Sequence, residues 1–158
     1  MSQVLIEQSL GAQSFLSLMR AHAAVTRKLN AQLSADHGLT ISDFEVLLRL
    51  ARAEDRRMRR VDLAEQVLLT ASGITRLLDG LERAGFVERA SCSADRRVVY
   101  AVLTDAGLAK LRDAAPSHFA QVEALFGDRF EDGELVDLSS LLTRLGGEDP
   151  GTCEVPGD

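Results

Sequence analysis

The stretch "VDLAEQVLLTASGITRLLDGLERAGFVER", residues 61–89, decides the fold. Its first seven residues set Leu63, Ala64 and Val67 on one helical face, with Asp62 near the positive N-terminal end. After a short break, Thr70 is suited to cap a second helix, "ASGITRLLDGLERAG", which Gly85 ends as the residue just past the C-cap. Within it Ile74, Leu77, Leu78 and Leu81 form one apolar stripe. The opposite face carries Ser72, Gly73, Thr75, Arg76, Asp79 and Gly80. An ordinary surface helix more often displays long Glu and Lys pairs four residues apart. Small side chains instead let a helix backbone approach base edges in a major groove. Ser72 and Thr75 can donate to phosphates or bases, and Arg76 can reach a guanine with two N–H groups. The unpaired N–H groups at the helix start favour a phosphate there.

Two short β-rich runs follow, "FVERA" and "VVYAVL", joined by the polar turn "SCSADRR" with Asp95, Arg96 and Arg97 at its tip. Short helix, tight turn, helix with a groove-compatible face, then hairpin is the order of a winged helix-turn-helix. Upstream, Phe15, Leu18, Met19, His22, Val25, Thr26, Leu29 and Leu33 recur at helical steps between about Ser9 and Ser34. At about 25 residues such a helix spans some 37 Å, more than a small domain can cover, so its stripe needs a partner beyond its own core. "DHGLTISD" breaks the pattern, and Thr40 or Ser42 starts a second helix, with Glu45 placed to complete a capping box with Ser42. "RAEDRRMRR" is a charged connector with room for a very short strand around Met58. Thr104 caps the helix "DAGLAKLRDAAPSHFAQVEALF", which Pro116 is expected to kink or divide. A last helix carries Leu135, Leu138, Leu141, Leu142 and Leu145, and the Gly-, Pro- and acid-rich end is expected to be a disordered tail.

The fold class is therefore mainly α, a winged helix-turn-helix with a small β-hairpin wing between N- and C-terminal helices. The expected division is 1–38 N-terminal helix, 39–103 winged helix-turn-helix DNA-binding domain, 104–146 C-terminal helices and 147–158 tail, the flanking helices taking the dimerisation role that the family resemblance given below implies. Charge agrees with that division. The formal net charge is −6, yet residues 49–97 hold 11 Lys and Arg against 8 Asp and Glu. The rest hold 7 against 16, so the basic surface is local and suits a polyanion. No apolar run approaches the roughly 20 residues of a membrane span, and the N-terminus has no secretory pattern, which points to the cytoplasm. Cys92 and Cys153 form no CxxC or Cys/His cluster and read as free thiols of a reducing compartment. His22, His37 and His118 have no metal-ligand spacing, and no nucleophile–base set or phosphate-binding loop appears. No metal site, cofactor or catalytic residue is expected, and an enzyme is the weakest reading. The chief alternative is a winged-helix scaffold for protein–protein contacts, against which the basic segment and the Ser/Gly/Thr/Arg face argue.

From Leu39 to Leu111 the chain resembles the MarR family of bacterial transcription regulators. The resemblance lies in "LTISDFEVLLRL", "DLAEQVLLTASGITRLLDGLERAGFVER", "DRR" and "VLTDAG". It implies a homodimeric regulator, most often a repressor, held together by its terminal helices and bound to a pseudo-palindromic operator in double-stranded DNA. By this resemblance Ser72, Gly73, Thr75 and Arg76, with Thr70 at the cap, fall on the recognition helix. Asp95, Arg96 and Arg97 fall on the wing. There Asp95 reads as a brace that pairs with one arginine and holds the turn while the other enters a minor groove; either arginine can take either role, with Arg96 preferred at the groove and Arg97 in the pair. The family often has a Gly where this chain has Leu68, so a positive φ there would strain the turn. The resemblance also implies relief by a small aromatic or phenolic acid, for which Met19, His22, Phe44 and Arg49 are candidate pocket residues, or by cysteine oxidation. For the latter Cys92 is the candidate, with Arg89, Arg96 and Arg97 expected to lower its pKa.

Overall fold

A computed structural model describes residues 9–67 and 71–146. Thr70, Leu68, Cys153 and the proposed tail lie outside those residues. Helix α1 runs Leu10–His37, capped by the Ser9 hydroxyl at one end and by Gly38 in the left-handed region (φ 67°) at the other. Helix α2 (Ile41–Arg52) starts from a capping box made by Thr40 and Asp43, not by Ser42 and Glu45. Asp43 Oδ2 accepts from Thr40 N–H at 2.8 Å, while Glu45 lies two residues too far along and instead pairs with Arg49.

The connector forms a 3₁₀ turn (Glu54–Arg56) and a short strand β1 (Arg57–Arg59). Helices α3 (Arg60–Gln66) and α4 (Ala71–Arg83), strands β2 (Val87–Ser91) and β3 (Val99–Leu103), and helices α5 (Asp105–Gly127) and α6 (Asp132–Gly146) complete the order. The antiparallel sheet is ordered β1-β3-β2, with Met58 and Arg89 both opposite Ala101.

The core follows from the apolar stripes. Leu63 and Val67 of α3, Ile74, Leu78 and Leu81 of α4, Leu47 and Leu50 of α2, and Ala101 and Leu103 of β3 are buried together. Gly85 (φ 79°) ends α4, with Phe86 N–H reaching back to the Leu81 carbonyl at 2.9 Å. Helix α5 then docks on that corner. Thr104 Oγ1 accepts from Gly107 N–H at 3.0 Å and donates to the Gly85 carbonyl at 2.6 Å. Gly107 lies so close to the Phe86 carbonyl that a Cβ there would sit 2.1 Å from its oxygen.

Pro116 does not divide α5, which continues unbroken to Gly127. Leu111, Ala114, Ala115 and His118 around it are buried, and this packing holds the helix across the lost hydrogen bond. The last third of α1 is clipped to α5. His37 Nε2 lies 2.6 Å from Ser117 Oγ and His37 Nδ1 3.4 Å from an Asp113 carboxylate oxygen. Gln121 donates to Asp36 at 3.1 Å. By contrast Leu10, Phe15, Leu16, Leu18 and Met19 of α1 are exposed, and α6 buries no residue at all.

Two stability predictions follow from these joints. Gly107→Ala forces backbone or Leu103 to move, and urea denaturation should show a loss of roughly 2–3 kcal/mol. His118 is buried against Phe44 and Phe119, with Nδ1 unpartnered among the described residues. Burial first, and the nearby His37 second, push its pKa below the ordinary 6.5. The unfolded chain therefore binds that proton more readily, so this contribution to stability is full above about pH 6.5 and is lost as pH falls from there towards the folded value. Melts between pH 7.5 and 5 should show wild type losing stability on acidification relative to His118→Leu, whatever their difference at pH 7.5.

Candidate nucleic-acid interface

Helix α4 shows the groove-compatible face that its sequence specifies. Ser72 and Arg76 are exposed, while Gly73, Thr75, Asp79 and Gly80 are half-buried. Two of these side chains are occupied inside the molecule. The Thr75 hydroxyl accepts from the Arg60 guanidinium, so α3 and α4 are tied by a polar contact beside their apolar seam. Asp79 receives Arg89 from strand β2, and Glu82 one turn on accepts Arg89 Nε–H at 2.8 Å. One arginine thus bridges the carboxylates of Asp79 and Glu82, offsetting one of their two charges, and braces the helix against the hairpin. Among the described residues Arg76 and Arg96 form no ion pair.

The wing tip is a four-residue turn. Val98 N–H bonds to the Asp95 carbonyl at 3.1 Å, which places Arg96 and Arg97 at its two central positions. Asp95 does hold the turn, but through the backbone: its carboxylate accepts from Arg97 N–H at 3.0 Å, the Asx pattern. The expected side-chain pair is looser, with Arg97 Nε 3.9 Å from that oxygen and the side chain 96% exposed. Both guanidinium groups are therefore presented outward. Between the wing and the helix-turn-helix lies a cavity of about 310 Å³. Its apolar lining is Val61, Ala64, Ile74, Val98 and Val99, and its charges are Arg59, Arg60 and Arg97. Arg59 is forked onto Asp62 at 2.7 and 2.9 Å, a hydrogen bond that raises its pKa further.

The candidate effector residues lie in different settings. Phe44 is core, 4.6 Å from the His118 ring and 5.8 Å from Phe119. Arg49 is engaged by Glu45 at 2.8 Å and Gln66 at 3.1 Å. Met19 and His22 are exposed on α1. None of the four lines the cavity beside α4 or the one near β1 bounded by Glu54, Asp55, Arg57 and Tyr100. Cys92 is half-buried at the base of the wing turn, where its N–H bonds to the Val98 carbonyl at 3.1 Å. Of the arginines expected around it, Arg89 is committed to Asp79 and Glu82. Among the described residues no cluster of His, Cys, Asp and Glu is arranged to hold a metal ion, and no helix is long and apolar enough to cross a membrane.

Residues 39–99, from the start of the helical module to the wing, match the MarR family profile. A curated relative, the HTH-type transcriptional repressor YetL of Bacillus subtilis, is 34% identical over 83% of this chain and 80% of its own. The chain belongs to the MarR family. This MarR-family member is also similar to the regulator MhqR of Bacillus subtilis, at 29% identity over 84% of this chain and 88% of that one. Among solved structures it resembles AbsC from Streptomyces coelicolor, at 34% identity, TM-score 0.72, and 91% and 95% coverage of the two chains. Sco3205 from the same organism, solved in complex with DNA, is 27% identical with a TM-score of 0.79 over 91% of this chain and 94% of that one. The protein is a DNA-binding transcriptional regulator and not an enzyme.

The sequence reading overlooked Arg60 and the use of Arg89 as a brace. The acids at positions 79 and 82, three apart on the otherwise small face of α4, were the available sign that a cation from another element had to meet them. Arg89→Ala should lower stability by only about 0.5–1 kcal/mol, since all three side chains are partly exposed. It leaves two bare carboxylates on the DNA-facing helix, and fluorescence anisotropy should show a roughly three- to tenfold loss of duplex affinity at moderate salt.

Proposed function

We propose that the protein is a homodimeric repressor that binds a pseudo-palindromic duplex operator. Its α4 helices lie in two major grooves and its wings reach the flanking minor grooves. The observation that carries this reading is the wing turn, with Arg96 and Arg97 at its centre, sharing one cavity with helix α4, on which Ser72 and Arg76 are exposed. In it Ser72, Gly73 and Arg76 approach base edges, with Thr70 at the helix start, while the turn held by Asp95 delivers Arg96 to the minor groove.

The homodimer is supported by the terminal helices. At 28 residues α1 is ~42 Å long, and its first half keeps Phe15, Leu18 and Met19 exposed. Helix α6 exposes Val136, Leu141, Leu142 and Leu145. Apolar stripes of this extent are covered by a two-fold partner presenting the same stripes. On this reading residues 1–38 and 104–146 are the dimerisation region, 39–103 the DNA-binding domain and 147–158 a tail. Relief by a small aromatic acid belongs to the same proposal, and a thermal-shift screen with such acids tests that part.

Light scattering should give twice the chain mass, and gel shifts with DNA from the chain's own upstream region should give a salt-sensitive complex, since neutralised phosphates release counterions. A monomer, or binding absent or unaffected by salt with every such fragment, overturns the reading. Arg76→Ala should alter preference among operator variants by about 1–3 kcal/mol, whereas Arg96→Ala should weaken binding to most sequences alike. Equal profiles for the two would contradict this division of roles.

A further inference from the structure

Arg60 is the first residue of α3, outside the recognition helix, and none of the family-matched positions of the reading head includes it. Its guanidinium crosses to α4 and donates to Thr75 Oγ1. Its Nε–H is buried with no acceptor among the described residues, and no carboxylate there lies within ion-pair distance of it. Its neighbour Arg59 differs, being satisfied twice by Asp62. Arg60 also lines the cavity between α3, α4 and the wing, alongside Arg97. With one hydroxyl partner and no counter-ion among the described residues, the guanidinium keeps its charge and its remaining N–H donors for an oxygen anion arriving from the cavity mouth. On the face that meets DNA, that anion is a phosphodiester.

We propose that Arg60 is a phosphate-clamping residue that sets the register of α4 on the duplex, and that Thr75 serves mainly to hold Arg60 rather than to read a base. The inference rests on the DNA-binding reading and reassigns one of its residues. A phosphate contact carries no sequence information by itself, but it fixes how deeply and at what angle the base-reading side chains enter. Holding by Thr75 lowers the side-chain entropy lost when the clamp closes.

The test uses the full-length protein and a duplex selected by wild type from a random pool. Arg60→Ala, Arg60→Lys, Thr75→Val and the double variant Arg60→Ala/Thr75→Val are compared by anisotropy across a salt series, with thermal melts alongside. Arg60→Ala should weaken binding about tenfold and reduce the salt slope by about one phosphate equivalent, ~0.9. Arg60→Lys should restore the slope and only part of the affinity, because an ammonium keeps the charge without the fork. Thr75→Val should cost a few-fold when Arg60 is present and nothing when it is absent, with no change in base preference in either background. If Thr75→Val costs the same in both backgrounds, or shifts base preference without Arg60, Thr75 reads a base itself and the proposal fails. An unchanged salt slope in Arg60→Ala likewise overturns it, and should that variant melt early, the slope of Arg60→Gln decides in its place. Failure of wild type to select any duplex would instead refute DNA binding, and so is distinguishable from failure of the clamp.

Discussion

The approach of Gly107 to the Phe86 carbonyl is the constraint on which the working geometry hangs. At that corner α4 ends, the hairpin begins and α5 starts, and all three are locked by Thr104, which bonds at once to Gly85 and Gly107. No side chain larger than hydrogen fits between α5 and the corner. The angle between the reading head and the long helix is therefore set by backbone contact, with less play than an interface of flexible side chains would allow. Val87 and Leu103, buried on either side of the corner, seal it from water.

A second constraint is electrostatic. Helix α4 carries two acids that would repel a polyanion, and the fold offsets them by committing Arg89 internally. Arg89 meets Asp79 and Glu82, Arg59 meets Asp62, and Arg49 meets Glu45. These exposed pairs add little to stability. Their effect is on the field: they neutralise acids near the interface and leave Arg76, Arg96 and Arg97 as outward positive charge. The basic character of residues 49–97 is thus sharper than in the charge count, since Asp62, Asp79 and Glu82 are each met by an arginine.

The order of elements was legible because each had a local signature: the stripe Ile74, Leu78 and Leu81, the stop at Gly85, the polar turn between two β-rich runs. What escaped was non-local. Pro116 reads as a breaker, but burial of Leu111, Ala115 and His118 outweighs one lost hydrogen bond. Thr40 and Ser42 both look like caps, and only the docking of α2, with Asn30 accepting Ile41 N–H at 3.0 Å, selects Thr40. Among the candidate site residues, exposure of Ser72, Arg76 and Arg96 could be read from helical phase and turn composition. The engagement of Thr75 by Arg60 could not, because it depends on the packing angle of α3 on α4. Phe44 and Arg49 had the right chemistry for a ligand pocket and were claimed by nearer partners.

Those nearer partners bear on how the two ends of the molecule communicate. Helix α5 faces α1 through Asp113, Ser117 and Gln121, and faces α2 through His118 and Phe119 against Phe44. Residues 113–121 therefore belong to both halves, and the same helix begins at the Gly107 corner under α4. Because α5 is continuous past Pro116, a tilt of its C-terminal part has no break at which to be absorbed. One continuous helix thus joins the end of α1 to the corner on which α4 and the hairpin meet. At the crossing of α2 and α5, His118 Nδ1 is one of the buried side-chain atoms left without a hydrogen-bond partner among the described residues, so the contact there is made by ring packing against Phe44 and Phe119 alone.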